Sequence, residues 1–197
     1  MPRHCGGAAA RHWFFHINIK IMQEVSINKD VKLSPHFTLG ELTKTSYHTS
    51  DGNIPSHVAI ENLKRLCGWL EILRERYNRK YGNLSLGPGP SDRSGEELPV
   101  IINSGYRSEQ VNMKCGGAKG SNHLTGCAVD IRCDGPEQMI RYAAILLDID
   151  NEKSHNRDRP LCENFDELIQ EQRGTTYWIH FAVRPKDNRR KIFFDCR

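Results

Sequence analysis

The sequence predicts an α+β fold in which a small antiparallel sheet is flanked by helices. Two patterns support this prediction. Apolar residues recur three or four positions apart in the stretches 56–77 and 136–147, which indicates amphipathic helices. Polarity alternates at every second residue in 128–133 and 177–183, which indicates strands with one buried face.

The first predicted helix follows Ser56, a residue type that caps helix N-termini through its side-chain oxygen. Its apolar residues lie along one face, which indicates packing against the sheet. These residues are Ile60, Leu63, Cys67, Leu70, Leu73 and Tyr77. The stretch 83–97 is rich in Gly, Pro and Ser and is predicted to be a loop.

Two strands and a second helix are predicted in the middle of the chain. The β-branched run 99–104 indicates a strand that delivers Arg107 to an edge of the fold. Alternation over 128–133 places Asp130 on the face opposite Val129 and Ile131. Pro136 suits the first turn of a helix. The predicted buried stripe of that helix contains Met139, Ile140, Ala143, Leu146 and Leu147.

A polar loop over 151–160 and a hairpin are predicted in the last part of the chain. The hairpin consists of the segments 165–171 and 177–183. In its second strand His180 shares a face with Trp178, whereas Ile179 lies on the apolar side. Asp130 and His180 both leave the apolar side, so they are predicted to meet.

Composition is that of one globular domain. The 197 residues are 38% hydrophobic and 26% charged, and the formal net charge is +4. The basic residues are scattered, which does not favour nucleic acid binding. The seven Cys are an odd number in a chain of this size, which favours reduced thiols over a disulfide framework.

Neither a membrane span nor a secretory signal is predicted. The most apolar N-terminal run, residues 13–22, is short and is interrupted by His16, Asn18 and Lys20. Residues 1–21 are predicted to be a disordered leader or an extension, and 22–197 a single domain.

His123, Asp130 and His180 are the candidate metal ligands. Two histidines and one carboxylate bind zinc and leave a coordination position open for water. His123 and Asp130 are seven residues apart, which puts them on opposite faces of a continuous strand. The chain must therefore turn between them, and Gly126 allows that turn. Without further support, a hydrogen-bonded His–Asp couple is the simpler interpretation of the pair.

A structural zinc site made from Cys115, His123, Cys127 and Cys133 is the rival interpretation. Structural sites usually contain ligand pairs two to four residues apart, and these residues do not. Cys127 and Cys133 share the face of Val129, so they are predicted to be small core residues.

An ordered series of motifs over about 33–190 resembles the zinc D-alanyl-D-alanine carboxypeptidase superfamily. This superfamily includes dipeptidases and the L-alanyl-D-glutamate endopeptidases of phage lysins. The similarity is closest to the bacterial and phage branch that opens with a segment like 37–43. The motifs are Ser104-Gly105-Tyr106-Arg107-Ser108, Val111-Asn112, Gly116-Gly117, Ser121-x-His123-x-x-Gly126-x-Ala128-x-Asp130 and Trp178-Ile179-His180.

The resemblance implies a fold like that of the carboxypeptidases and hedgehog domains, with the sheet carrying the zinc site. It implies that His123, Asp130 and His180 bind Zn²⁺ and that Ser121 helps to position the substrate. It also implies that Arg107 holds or polarises the carboxylate or scissile carbonyl of the substrate, for which a guanidinium is well suited. Without the metal motif, a surface ion pair with Glu109 would be the preferred interpretation of Arg107.

The general base departs from the pattern of the superfamily. Many relatives have Glu three residues, or His two residues, before the last zinc ligand. Here those positions hold Tyr177 and Trp178, which do not take a proton from water at neutral pH. Glu171 is the candidate base, and Glu167 is the second choice. A solvated carboxylate near a hairpin turn is an equally weighted interpretation of either residue.

The expected function is that of a zinc metallopeptidase, a carboxypeptidase or an endopeptidase, that cleaves the peptidoglycan stem peptide with a zinc-activated water. The protein is expected to be a monomer that acts on the cell wall, with a phage lysin, a virion-associated enzyme and a cellular enzyme as the open alternatives. The alternative function is a catalytically inactive, zinc-bearing binding module on the same fold.

Overall fold

The computed structural model describes residues 28–85, 97–155 and 164–196. They form four α-helices, one 3₁₀ helix (η1) and five strands. In chain order these are α1 (Leu39–Leu42), α2 (His57–Ser85), β1 (Ile102–Ser104), α3 (Glu109–Lys114), η1 (Asn122–Thr125), β2 (Ala128–Cys133), α4 (Pro136–His155), β3 (Glu167–Arg173), β4 (Thr176–Ala182) and β5 (Lys191–Cys196). The predicted leader, 1–21, lies outside the described residues.

Helix α2 begins where the sequence predicts. The Ser56 side chain accepts a hydrogen bond from the Ala59 amide at 3.2 Å, as an N-cap does. The predicted apolar face is buried at Leu63, Leu70 and Leu73. The helix continues to Ser85, so the prediction of a loop from residue 83 was wrong by three residues. The remainder of that predicted loop, up to residue 96, lies outside the described residues.

The five strands form one sheet in the order β1-β2-β4-β3-β5. The β1–β2, β2–β4 and β4–β3 pairs are antiparallel, but β5 runs parallel to β3. The prediction of a purely antiparallel sheet was therefore wrong for this pair. After β4 the chain reverses and lies on the far side of β3, so β5 takes the direction of β3.

The core lies on one face of the sheet. Val129, Ile131, Leu168, Ile179 and Phe181 are fully buried there together with side chains of α2 and α4. One contact across this interface joins the rings of Trp69 and Phe181, whose centroids are 5.3 Å apart. The predicted apolar sides of β2 and β4 are thus confirmed.

Helix α4 begins at Pro136 as predicted, but its buried face is rotated from the predicted stripe. Met139, Ala143 and Leu146 are buried, whereas Ile140 is 61% exposed. Leu147 is only partly buried. The buried face is completed by Tyr142, Ile145 and Ile149. The helix extends to His155, so the predicted loop over 151–160 was wrong for its first five residues.

The cysteines of the described residues are free thiols, in agreement with the sequence-based prediction. Cys127 and Cys133 are buried, as expected for small core residues. Among the described helices, none combines the length and the apolar character that crossing a membrane requires.

Candidate metal centre

His123 is held by the 3₁₀ helix η1 and by the backbone of Gly105. Ser121 caps η1, and its side chain accepts a hydrogen bond from the His123 amide at 3.3 Å. The ring atom Nδ1 of His123 lies 2.6 Å from the carbonyl oxygen of Gly105. Because a carbonyl only accepts hydrogen bonds, Nδ1 carries the proton and Nε2 is left to bind a cation. The chain turns at Gly126 (φ 71°), as predicted.

Asp130 and His180 lie directly opposite each other on the antiparallel strands β2 and β4. The predicted strand parity is therefore confirmed. The Nε2 atom of His180 lies 3.5 Å from the Glu167 Oε2 atom, so the carboxylate favours a proton on Nε2. The other ring nitrogen, Nδ1, faces Asp130. This arrangement of a histidine held from behind by a carboxylate is common around protein metal ions.

Three ligand atoms converge between these residues. His123 Nε2 lies 3.2 Å from Asp130 Oδ1 and 3.2 Å from His180 Nδ1, and His180 Nδ1 lies 3.1 Å from Asp130 Oδ1. Ligand atoms of a tetrahedral zinc site are about 3.3 Å apart, given Zn–N and Zn–O distances of about 2.0–2.1 Å. The triangle therefore fits a zinc ion and leaves a fourth position open. Within the described ranges, this trio is the one group of three side chains placed to bind a metal ion. The alternative zinc site that includes Cys115, Cys127 and Cys133 therefore has no support there.

The charges of the trio are coupled. Burial acts to raise the pKa of Asp130, but His123 and His180 outweigh it and hold this pKa well below its usual range. Burial acts to lower the pKa of His180, but hydrogen bonds to Asp130 and Glu167 raise it to about 9. The site thus favours an ionised Asp130 carboxylate next to a positive charge. A protonated histidine or a bound cation can carry that charge.

Arg107 lies beside the trio, on the other oxygen of Asp130. Its Nη2 group donates to Asp130 Oδ2, and its Nε group donates to Ser104 Oγ at 2.8 Å. Nη1 has no hydrogen-bond partner within the described part of the chain. Arg107 also lines the cleft that contains the trio. Arg107 thus donates to the carboxylate of a candidate ligand, and the Glu109 ion pair considered from the sequence is not what holds it.

Two carboxylates from β3 line the same cleft. Glu167 contacts His180 and also accepts a hydrogen bond from Arg189 Nη2 at 2.8 Å. Glu171 lies four residues further along β3, directly opposite Trp178. Burial and the nearby charge of Asp130 raise the pKa of Glu171. Glu167 therefore contacts and orients His180, whereas Glu171 lines the cleft and has a raised pKa.

The structure explains why Tyr177 and Trp178 stand where many relatives in the superfamily have a general base. Tyr177 packs against the hydrophobic core, and its hydroxyl group accepts a hydrogen bond from Gln172 Nε2 at 3.2 Å. Trp178 lies on the cleft face. The residue three positions before His180 thus points away from the trio, and the neighbouring strand provides the carboxylates instead.

A supporting network behind the trio was missed by the sequence-based reasoning. The Arg189 side chain donates two hydrogen bonds to the fully buried Asp166, at 2.8 and 2.6 Å. Asn122 donates to Asp166 at 2.9 Å and to Glu167 at 3.0 Å. Asn122 precedes His123, so the network ties η1 to β3. The one sequence signal was that Asp166 directly precedes Glu167, the second-choice base.

The trio lies in a cleft of about 590 Å³. Charged and polar side chains line it, together with a few apolar ones. The lining residues include Arg107, Ser121, Glu171, Arg173, Phe193 and Asp195. The cleft is open to solvent.

Fold and site together define a mixed α+β protein with a candidate zinc centre in an open cleft. The model of one protein family, Peptidase M15, matches residues 92–151. This segment is thus similar to the M15 superfamily of zinc peptidases, which confirms the resemblance stated from the sequence. The matched segment includes Arg107, Ser121, His123 and Asp130, and it ends before His180. No curated protein was found to match the chain.

Proposed function

We propose that this protein is a zinc-dependent peptidase that hydrolyses peptide bonds in the stem peptide of peptidoglycan. The observation that carries the proposal is the triangle of His123, Asp130 and His180 at the base of an open cleft. The match of residues 92–151 to a family of zinc metallopeptidases supports it and does not favour an inactive binding module.

The three residues of the triangle would hold the zinc ion. Zinc, when bound, lowers the pKa of a coordinated water and polarises a carbonyl group. The carbonyl of Gly105 and the carboxylate of Glu167 keep the two imidazoles in orientations that present nitrogen lone pairs to the cation. Arg107 keeps Asp130 in place through its second oxygen.

Glu171 would act as the general base and then as the general acid. It takes a proton from the attacking water and returns it to the leaving nitrogen. Its raised pKa brings its proton affinity closer to that of a catalyst working near neutral pH. Glu167 is less suited to this task because hydrogen bonding with His180 lowers its pKa.

Arg107 and Ser121 would position the substrate. Arg107 and Ser121 both line the cleft. A guanidinium stabilises the negative charge that develops on a carbonyl oxygen during hydrolysis. Arg173 adds a further positive charge to the cleft, which suits stem peptides because they carry free carboxylates.

The proposal is tested by measuring metal content together with the hydrolysis of purified peptidoglycan. The wild-type protein is expected to contain one zinc ion per chain and to release peptide fragments, which mass spectrometry identifies. The Glu171→Gln variant should keep its zinc and lose about 10²–10⁴-fold in rate. Glu167→Gln is the matched control on the same strand, and it should weaken zinc binding more than it affects the chemical step.

Two results would contradict the proposal. If the His123→Ala variant retained both zinc and activity, the metal site would be wrongly assigned. If the wild-type protein bound zinc but released no peptide from peptidoglycan, the proposed substrate would be wrong.

A further inference from the structure

Strand β5 is an edge of the sheet with an unusually apolar surface. Ile192, Phe193 and Phe194 are 50%, 47% and 55% exposed, respectively. Its one neighbour in the described sheet is β3. Natural proteins usually protect sheet edges with charges, prolines or bulges, because an open edge pairs readily with another strand. Consecutive exposed apolar residues on such an edge indicate a contact surface.

The hydrogen-bonding groups of β5 are oriented for a second neighbour. The Lys191 amide donates to the Asp166 carbonyl at 2.9 Å, on the side of β3. Backbone groups alternate in direction along a strand, so the amides and carbonyls of Ile192 and Phe194 point to the open side. Any strand that adds to this edge must therefore bond to these two residues.

The sequence of β5 is complementary to itself. Residues 191–195 read Lys-Ile-Phe-Phe-Asp. When two copies are antiparallel with Phe193 opposite Phe193, Lys191 of each copy lies opposite Asp195 of the other. In the same register Ile192 lies opposite Phe194, and these are the residues with outward backbone groups. Charge, side-chain shape and hydrogen bonding thus agree on one register.

Neighbouring registers do not have this agreement. A shift by one residue pairs an inward-pointing backbone group with an outward-pointing one. A shift by two residues keeps the hydrogen bonds but removes both pairs between Lys191 and Asp195, because Phe193 then lies opposite one of these charged residues.

We propose that β5 pairs with β5 of a second copy of this chain, so that one continuous sheet crosses a two-fold axis at Phe193. Such isologous contacts are the commonest form of protein self-association. Ile192 and Phe194 of both copies then form one apolar cluster on one face of the junction. The sequence-based expectation of a monomer took no account of this strand.

The pairing has a consequence for the cleft. Phe193 and Asp195 line it on the side of β5. In the paired form, Lys191 of the second copy lies next to Asp195 and becomes part of the cleft wall. This consequence rests on the proposed function, whereas the pairing itself does not.

Sedimentation velocity over a range of concentrations tests the pairing without reference to activity. The wild-type chain is expected to show a reversible monomer–dimer equilibrium. Phe194→Pro removes an outward amide and leaves the hydrogen bonds to β3 intact, so this variant should be monomeric. Lys191→Asp places like charges opposite each other at both ends of the junction. The dissociation constant of the dimer should therefore rise about tenfold.

The exchanged pair is the decisive control. Lys191→Asp combined with Asp195→Lys restores opposite charges across the junction, so the double variant should associate as the wild type does. Circular dichroism establishes that each variant is folded. A wild-type chain that stays monomeric at its highest soluble concentration would overturn the proposal. So would a dimer that survives both Phe194→Pro and Lys191→Asp.

Disulfide cross-linking tests the register. Phe193→Cys brings two thiols together at a close, non-hydrogen-bonded pair, within the Cα distance that a disulfide needs. Ile192→Cys is the matched control, because its two copies would lie beyond the limit of about 7 Å. Both variants carry Cys196→Ser, and their other cysteines are identical. Oxidation should yield dimers of the first variant only, and equal cross-linking of both would exclude the proposed register.

Discussion

The two faces of the sheet differ in almost every physical property, although the same strands build both. On one face Val129, Ile179 and Phe181 are fully buried and apolar. On the other, Asp130 and His180 belong to a polar trio that opens to a cleft. Along β2 and β4, residues that pack in the core therefore alternate with residues that face the cleft.

This difference follows from the alternation of side chains along a strand. The core face stabilises the positions of the strands, and the strands then hold the ligand atoms a little over 3 Å apart. A substitution on one face should affect stability, and a substitution on the other should affect metal binding. Paired variants on the two faces therefore test this separation.

His180→Ala should abolish stoichiometric zinc binding and reduce peptidoglycan hydrolysis to background, because two ligands remain of three. Its neighbour in sequence provides the control. Ile179→Val should retain zinc and activity and lower the free energy of unfolding by about 0.5–1.5 kcal/mol. Metal analysis and urea unfolding measure the two effects. Comparable loss of zinc in both variants would refute the separation of the faces.

Phe181→Ala should lower the free energy of unfolding by about 3–5 kcal/mol, since it removes a buried ring that contacts Trp69. The measurement is denaturant unfolding in the presence of a metal chelator, so that zinc does not contribute. After the chelator is removed, the folded fraction of the variant should still bind zinc. A loss below 1 kcal/mol would indicate that this face of the sheet does not stabilise the fold.

Gly126→Ala should disturb both faces, because Gly126 joins the loop of His123 to strand β2. Its φ is 71°, and an added Cβ atom would lie 2.5 Å from the backbone oxygen of Ala59 in α2. The cost should exceed the roughly 1–2 kcal/mol of a left-handed conformation alone. Gly116 has a φ of 72° and open space around it, so Gly116→Ala should cost that amount and no more. Equal losses of unfolding free energy in the two variants would contradict the close approach.

The smallest effect concerns a carboxylate on α2 away from the trio. Burial acts to raise the pKa of Glu71, but hydrogen bonds from Ser34 and His36 outweigh it and lower this pKa below 4.5. A lowered pKa stabilises the folded state fully above pH 4.5, and this contribution is lost as pH falls through the folded-state value. Glu71→Gln should therefore reduce the loss of stability on acidification. Urea unfolding of chelator-treated protein at several acidic pH values measures this effect. If the free energy of unfolding of the variant fell with pH as steeply as that of the wild type, the prediction would be contradicted.

The parts of the fold that depend on local periodicity were predicted from the sequence. The strands β2 and β4, and the meeting of Asp130 with His180, follow from alternation within one short segment each. The stripe of α4 was rotated in the prediction because Ile140 is apolar but exposed. Hydrophobicity alone does not reveal which apolar residue faces the core.

The parts that depend on distant contacts were not predicted. Strand β5 was missed, and its parallel pairing depends on a partner more than twenty residues away in β3. The network of Asp166, Arg189 and Asn122 brings together three separate segments. Polar residues in loops leave no periodic signal, so their convergence is visible only in three dimensions.

The close approach of Gly105 to α1 sets a limit on how far the protein can be shortened. The Tyr106 amide donates to the Leu42 carbonyl at 2.7 Å, and a Cβ atom on Gly105 would lie 2.3 Å from the same oxygen. The Gly105 carbonyl in turn orients His123. Helix α1 is itself fastened by a capping box at Thr38. A minimal fragment that keeps His123 in this orientation must therefore start before Thr38, and a protease that cuts between α1 and α2 should weaken zinc binding without removing any residue of the trio.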